Sequence, residues 1–156
     1  MGGDGVEGPR DLSRSLAALA FVFFANGAAL ASWYPHIPYV QERLGIGTGP
    51  LGLALLGMAA GALGAMPLAG WLLPSMGTRR LVAVSLVGLC LFLPLPVHAP
   101  STATLAMALL VFGAFNGALD VSMNAHAVAL ERERGRPFLS RLHALFPVGG
   151  LVGAGL

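Results

Sequence analysis

Long apolar stretches without any Asp, Glu or Arg alternate with short charged segments along the chain, at 16–41, 45–78 and 81–119. A helix needs about 20 mainly apolar residues to cross a hydrocarbon core of about 30 Å. The third stretch is too long for one helix, and its proline-rich polar segment at 94–102 predicts a turn. The pattern therefore predicts four spans at 15–39, 49–73, 80–97 and 102–130, and the start or most of a fifth at 137–156.

The composition excludes an ordinary soluble domain. Of the 156 residues, 56% are hydrophobic and 10% are charged, whereas about 25% of the residues of soluble domains are charged. The net charge is only +2, and the arginines do not form the dense basic patch that a nucleic-acid-binding face requires. We therefore predict an all-α integral membrane protein, with the lipid bilayer as its partner and no nucleic acid.

The arginines are distributed unequally between the two sides of the predicted spans. One side holds eight of the nine arginines and the other holds only Arg43. Because cytoplasmic loops carry an excess of basic residues, this split predicts an inner (plasma) membrane protein with a cytoplasmic N-terminus. Residues 1–14, rich in Gly and charge, are predicted to be a disordered cytosolic tail before a transmembrane bundle over 15–156. The eight arginines are Arg10, Arg14, Arg79, Arg80, Arg132, Arg134, Arg136 and Arg141.

Glycine pairs at GxxxG spacing occur in three of the predicted spans. Lipid gives helices no hydrophobic reason to associate, so small residues that permit close backbone approach assist their packing. We therefore expect a tightly packed bundle rather than helices separated by lipid. The three pairs are Gly57/Gly61, Gly113/Gly117 and Gly149/Gly153.

One charged residue, Asp120, falls near the middle of the fourth predicted span. It precedes Glu131 by eleven residues, which is about 16 Å along a helix, and a charge at the bilayer centre costs roughly 2.5–3.5 kcal/mol on insertion scales. Asn116 and Asn124 stand four residues on either side and therefore share its helical face. This polar stripe is typical of a helix that lines an aqueous cavity and binds substrate or a proton. The alternative is a packing role, in which Asp120 only hydrogen-bonds to neighbouring helices.

A second group of polar and aromatic residues shares a face of the first predicted span: Asn26, Trp33 and Tyr34. Such a surface can bind a sugar-like ligand through stacking and hydrogen bonds. For Trp33 and Tyr34 the alternative is an aromatic belt at the membrane–water interface, whereas Asn26 lies deeper in the span.

The remaining candidate is His143, early in the fifth predicted span, which is of the residue type whose charge changes near neutral pH. No pair of histidines has metal-ligand spacing and the single cysteine has no partner, so we expect no metal and no cofactor. The sequence also contains neither a phosphate-binding glycine loop nor a nucleophile elbow. We therefore expect no catalytic residues and predict that the protein is not an enzyme.

The four-span arrangement with its arginine-bearing segment between the second and third spans resembles the N-terminal half of a Major Facilitator Superfamily transporter. Gly70, Gly77, Arg79 and Arg80 match the motif of that segment, and Pro74 stands in place of its Asp. The resemblance implies a full transporter of about twelve helices. The chain would then be its N-terminal part, ending inside or at the end of the fifth helix, with a missing C-terminal half as its partner.

The fourth and fifth spans resemble the fucose-permease-like branch of this superfamily. They carry GALDVSMN at 117–124, then Arg136-Pro137, then HALFPVGG at 143–150. The resemblance implies that Asp120 is the proton and substrate carboxylate, Asn124 its companion and His143 the polar residue of the fifth helix. The branch's second carboxylate, in the first helix, is replaced by the sequence SWY at 32–34.

The sequence therefore predicts transmembrane transport of a small solute, such as a sugar or a similar polar metabolite, by alternating access, with or without coupling to protons. The alternative is a multi-span structural or regulatory membrane subunit in which Asp120 is a packing contact. The residues predicted to bind substrate or a proton are Asp120, Asn124, Asn116, Asn26, His143 and Tyr34.

Overall fold

The computed structural model describes residues 9–155, with side chains from residue 13 onwards, and it contains helices and turns without any strand in that range. The described residues form eight α-helices, and a short 3₁₀ turn at Tyr34–His36 separates the first from the second. They are α1 (Pro9–Trp33), α2 (Ile37–Leu44), α3 (Thr48–Met76), α4 (Thr78–Phe92), α5 (Leu95–His98), α6 (Thr102–Arg134), α7 (Leu139–His143) and α8 (Leu145–Ala154).

Four helical segments are long and apolar enough to cross a membrane. They are Ser13–Leu44, Thr48–Met76, Thr78–His98 and Thr102–Arg134, and they confirm the four predicted spans. The fifth predicted span begins as α7 and α8, which meet at Ala144. The predicted fold class, an all-α membrane protein with four spans and the start of a fifth, is therefore confirmed.

The first and fourth spanning segments extend past their predicted ends, because glycines rather than the first charged residues end their helices. The backbone of Gly45 after α2 and of Gly135 after α6 is left-handed, with φ of 61° and 63°. Glycine adopts this conformation without a Cβ penalty and so ends a helix. The charged residues before each glycine consequently stay helical.

Two predicted irregular segments differ in the structure. The turn expected at 94–102 is divided, because α5 forms over Leu95–His98 with a proline in its first turn, where proline is tolerated. Pro94 belongs to the turn before α5, and residues 99–101 form the one after it. Ser101 then caps α6, its Oγ accepting a hydrogen bond from the Thr104 N–H at 3.3 Å. Of the predicted tail, residues 1–8 lie outside the described part, and residues 9–14 belong to α1.

Helices α3 and α6 pack backbone against backbone along a line of glycines, which we call the glycine seam: Gly57 and Gly61 of α3 with Gly113 and Gly117 of α6. A Cβ added to Gly61 would overlap the carbonyl oxygen of Leu110 on α6. Such close approach is how small residues bring membrane helices together.

Helices α1 and α8 meet in the same manner. A Cβ at Gly149 of α8 would overlap the carbonyl oxygen of Phe24, and a Cβ at Gly27 of α1 would overlap that of Phe146. All three predicted GxxxG pairs therefore lie in close helix–helix contacts, as expected for a tightly packed bundle.

The single arginine on the predicted outer side, Arg43 at the end of α2, is bound to backbone rather than to an acid. Its Nη2 donates to the carbonyl oxygens of Val97 and Ala99, at 2.9 and 2.7 Å. These carbonyls end α5, where a cation is favourable. Arg43 therefore fastens the turn between α5 and α6 to α2.

Candidate functional site

Three polar side chains from two helices form a hydrogen-bonded group, which we call the polar cluster: Asp120 and Asn124 of α6 and His143 of α7. The Asn124 Nδ2 donates to the Asp120 Oδ1 at 3.2 Å and to the Asp120 carbonyl oxygen at 2.8 Å. The Asn124 Oδ1 lies 3.0 Å from the Nε2 of His143. Three of the six residues singled out from the sequence therefore lie together.

The hydrogen bonds fix the orientation of the Asn124 carboxamide. Because its Nδ2 donates to Asp120, the Oδ1 faces His143, and an amide oxygen can only accept. The Nε2 of His143 therefore carries a hydrogen, whatever the charge of the ring. Asn124 thus connects a group that can hold a proton on α6 with a second one on α7.

The fold places these side chains through two different devices. Asp120 and Asn124 are one turn apart on α6, beside Leu119 and Met123, which are buried in the core. His143 is the last residue of α7, and the edge of its ring packs against Phe23 of α1, with ring centroids 5.1 Å apart. Helix α6 positions the first pair, and the turn into α7 positions the histidine.

The cluster opens to the surface of the described bundle. Asp120 and Asn124 are half-buried, and His143 is exposed. Since the helix faces around them are apolar, this surface combines one carboxylate, one amide and one imidazole within a membrane-spanning bundle. Such a group can bind hydroxyl or amine groups of a solute and can exchange protons.

Asn116 and Asn26 do not join the hydrogen bonds of the cluster. The Oδ1 of Asn116, one turn before Asp120, is buried and has no partner in the described part of the chain. Asn26 of α1 is only 1% exposed, and its Oδ1 likewise lacks a partner there. A buried polar atom without a partner costs roughly 1–3 kcal/mol, so a water or a polar ligand within reach of either oxygen would be stabilised.

Tyr34 does not share a helical face with Asn26 and Trp33. Because Pro35 and Pro38 cannot donate backbone hydrogen bonds, α1 ends at Trp33, and Tyr34 opens the 3₁₀ turn. Trp33 is buried at 1% exposure, whereas Tyr34 is 52% exposed. The expected wall of three side chains is therefore split, and Trp33 lies inside the bundle rather than in an aromatic belt.

Glu131, which in the sequence only marks how far Asp120 lies from the end of the fourth span, forms hydrogen bonds with the next helix. Its Oε1 accepts hydrogen bonds from the backbone N–H groups of Phe138 at 2.6 Å and Leu139 at 2.7 Å. These groups open α7, the helix that carries His143. The sequence gives no signal for this contact, because Glu131 lies eight residues before α7 and the first turn of α7 contains no acidic residue.

Further polar contacts tie the start of α4 to its neighbours. Thr78 Oγ1 lies 2.9 Å from His126 Nδ1 on α6, and Arg79 Nη2 donates to Ser15 Oγ on α1 at 2.9 Å. His126 thus faces α4 and not the polar cluster, as its position around the helix predicts. Within residues 9–155, no group of three or more His, Cys, Asp or Glu side chains could hold a metal ion.

The sequence matches the Major Facilitator Superfamily over residues 18–156. The chain belongs to this superfamily. Together with the four apolar helices, membership makes it a multi-pass membrane protein of a transporter superfamily.

Three relatives in the superfamily illustrate the similarity. The chain is 46% identical to an uncharacterized MFS-type transporter of Yersinia pestis over 133 residues, covering 85% of this chain and 35% of the relative. It is 41% identical to membrane protein MosC of Rhizobium meliloti over 140 residues, covering 89% of this chain and 34% of the relative. An uncharacterized transporter of Sinorhizobium fredii is 33% identical over 132 residues, covering 85% and 35% respectively.

The chain spans about a third of the length of the curated relatives it matches. No solved structure matches it significantly.

Proposed function

We propose that the full-length protein carries a small polar solute, such as a sugar or a similar metabolite, across the membrane by alternating access, and that Asp120 couples this transport to protons. The observation that carries the proposal is the polar cluster, which joins Asp120 to His143 through Asn124 on an open, half-buried surface. An intramembrane carboxylate is costly and is by default a functional group.

The bonding of Asp120 favours transport over a purely structural role. Within the described residues, the Asp120 carboxylate hydrogen-bonds only to Asn124, one turn along the same helix. A carboxylate that served to fix helix packing would bond to a neighbouring helix. A structural or regulatory subunit with Asp120 as its packing contact therefore has less support.

The resemblance to the fucose-permease-like branch supports a sugar-like solute. The residues that carry it, Asp120, Asn124 and His143, are the residues of the polar cluster. Asn116 and Asn26 add amide groups whose oxygens lack partners among the described residues, and Tyr34 adds an exposed hydroxyl-bearing ring nearer the opposite end of the bundle. We assign these three residues as further contacts along the path of the solute.

The mechanism requires more than the described bundle. Transporters of this kind bind substrate between two halves, which rock to expose the site to each side of the membrane in turn. We propose that the surface with the polar cluster faces a C-terminal half of the full-length transporter. Protonation of Asp120 would change how it binds the solute, so proton and solute movements would be linked.

The orientation follows from the arginines. We propose an inner membrane location with the N-terminus and the α6–α7 turn in the cytoplasm. A cysteine introduced at Gly135, in a Cys90→Ser background, should react with a membrane-impermeant maleimide only from the cytoplasmic side. A cysteine at Gly47, which precedes α3 on the predicted outer side of the membrane, should react only from outside. Reaction of the Gly135 site from outside in intact cells would contradict this orientation.

The function is tested by solute uptake in the full-length protein. Proteoliposomes are offered radiolabelled L-fucose, D-glucose, myo-inositol and D-glucosamine, and uptake is normalised to monodisperse protein. Asp120→Ala should abolish uptake of the accepted solute, whereas the exposed acid Glu133, replaced by Gln, should leave it unchanged. If Asp120→Ala lowers only the yield of folded protein and uptake per molecule stays at the wild-type level, Asp120 is a packing contact and the proposal is wrong.

A further inference from the structure

Helix α7 is fastened to α6 at both of its ends. At its start, the Glu131 carboxylate accepts the backbone N–H groups of Phe138 and Leu139 at 2.6 and 2.7 Å. At its end, His143 bonds to Asn124 at 3.0 Å. Both anchors, Glu131 and Asn124, are side chains of α6.

The first anchor suits the chemistry of a helix start. The first N–H groups of a helix have no acceptor within the helix, and a carboxylate there is favoured by the helix dipole and forms charge-assisted hydrogen bonds. Helix α7 has only five residues, and so short a helix is not stable by itself. Its position therefore depends on the side chains that hold it, which are Leu142, buried in the core, and the two polar anchors.

The turn before α7 directs the chain toward this anchor. Gly135 adopts a left-handed conformation with φ of 63°, which ends α6. The Arg134 guanidinium lies 6.0 Å from the centre of the Phe138 ring, a cation–π distance. These contacts bring the N–H groups of residues 138 and 139 to the Glu131 carboxylate.

Neither of the residues described as bonding to or packing against the His143 ring is charged. The faces that touch its ring come from Asn124 of α6 and Phe23 of α1, and α1 has no charged residue between Ser15 and Trp33. Helix α8 carries no charge, and Arg141, two positions earlier on α7, is exposed.

We propose that Glu131 is a positioning residue of the polar cluster: by holding the first turn of α7, it sets where His143 stands against Asn124, and thereby the hydrogen bonding of Asp120. Glu131 itself lies near the α6–α7 turn, and its hydrogen bonds within the described residues go to the backbone of Phe138 and Leu139 and not to the cluster. The geometric part of this inference stands on the contacts alone, and its consequence for transport rests on the proposed function.

The geometric part is tested by nuclear magnetic resonance of the full-length protein in nanodiscs, with Glu131→Ala, Glu131→Gln and the exposed neighbour Glu133→Ala as control. Glu131→Ala should speed hydrogen exchange at the amides of Phe138 and Leu139 roughly tenfold or more, because they lose a charged acceptor. It should also move the side-chain amide resonance of Asn124 in the direction caused by His143→Ala. Glu131→Gln retains an oxygen acceptor and should show smaller changes, and Glu133→Ala should show none.

Two results would overturn the geometric part. Unchanged exchange at both amides would show that Glu131 does not hold α7. Faster exchange with an unmoved Asn124 resonance would show that the anchor does not reach the polar cluster. If Glu131→Ala folds poorly, Glu131→Leu, which keeps the bulk of the side chain without any acceptor, provides the same two measurements.

The transport part is tested with the solute accepted from the four-compound panel. Glu131→Ala should raise KM roughly tenfold while kcat changes less, Glu131→Gln should recover most of the affinity, and Glu133→Ala should match the wild type. Because Glu131 acts through His143, the double variant with His143→Ala should be no worse than His143→Ala alone. Additive losses would overturn the route through His143. If the wild type transports none of the four solutes, the proposed function fails while the resonance data still decide the anchor.

Discussion

Helix α6 makes two contacts of opposite kind. One is the glycine seam with α3, and the other, which we call the corner, is the contact of Glu131 and Asn124 with α7 across the turn at Gly135. At the seam, Gly61 and Gly113 bring the backbones so close that a Cβ at either position would overlap a carbonyl oxygen of the other helix. At the corner, Glu131 and Asn124 hold α7 through hydrogen bonds of 2.6–3.0 Å. The seam is formed by the absence of side chains, and the corner depends on two particular ones.

This difference separates stability from function in one helix. A seam of glycines has no group that can bind a solute, and its value lies in close packing. The corner also buries Leu142 of α7 in the core, but its polar side chains are groups that can exchange protons and bind a polar solute. We therefore expect seam variants to lose the fold and corner variants to lose transport first.

The largest expected effect on stability is at the seam. Gly61→Ala places a Cβ against the Leu110 carbonyl oxygen and should lower the free energy of unfolding by roughly 3 kcal/mol or more, as overpacking of backbone does. The matched control is Gly64→Ala on the same helix, where a Cβ meets nothing within 4 Å. Denaturation in mixed micelles measures the free energy of unfolding of both variants, and equal stability of the two would show that close packing at the seam does not stabilise the bundle.

An intermediate effect on the free energy of unfolding is expected at Gly135, in the turn between α6 and α7. Gly135→Ala meets no neighbour within 4 Å, but its φ of 63° disfavours any side chain, so the free energy of unfolding should fall by about 1 kcal/mol. Gly52→Ala, also in open space but inside α3, should not lower it. The same micelle denaturation compares the pair, and an unaffected Gly135→Ala would contradict the left-handed turn.

The smallest effect on stability, with a large effect on uptake, is expected in the polar cluster. Asn124→Ala removes the connection between Asp120 and His143 on an open surface, so the free energy of unfolding should change by less than about 1 kcal/mol. Uptake per folded molecule should nevertheless fall at least roughly tenfold. Ser122→Ala is the control, because among the described residues the Ser122 hydroxyl bonds only to the Leu119 carbonyl of its own helix, at 3.1 Å. Equal uptake by the two variants would break the contrast between corner and seam.

The spans and the seam could be predicted from the sequence because their signals are local. Apolar length identifies a membrane helix, and glycines four residues apart lie on one helical face. Asp120 and Asn124 are also one turn apart, so a helix alone brings them together. For these features, secondary structure and spacing are sufficient.

The position of the His143 side chain and the role of Glu131 could not be predicted, because both depend on the turn between α6 and α7. Glu131 and Phe138 are seven residues apart across Gly135, and their contact needs the left-handed glycine and the direction it gives the chain. The burial of Asn26 and the separation of Tyr34 from it likewise depend on where neighbouring helices pack and on where proline ends α1. Periodicity assigns a face to a residue but not the neighbour that covers it.

Coupling of a solute to protons by Asp120 is tested by proton movement in proteoliposomes of the full-length protein containing a trapped pH-sensitive dye. In the wild type, adding the accepted solute outside should change the internal pH. Asp120→Asn, which retains the size and hydrogen-bonding capacity of the side chain without its titratable proton, should exchange solute across the membrane and move no protons. Solute-driven proton movement at the wild-type rate in Asp120→Asn would contradict the coupling role.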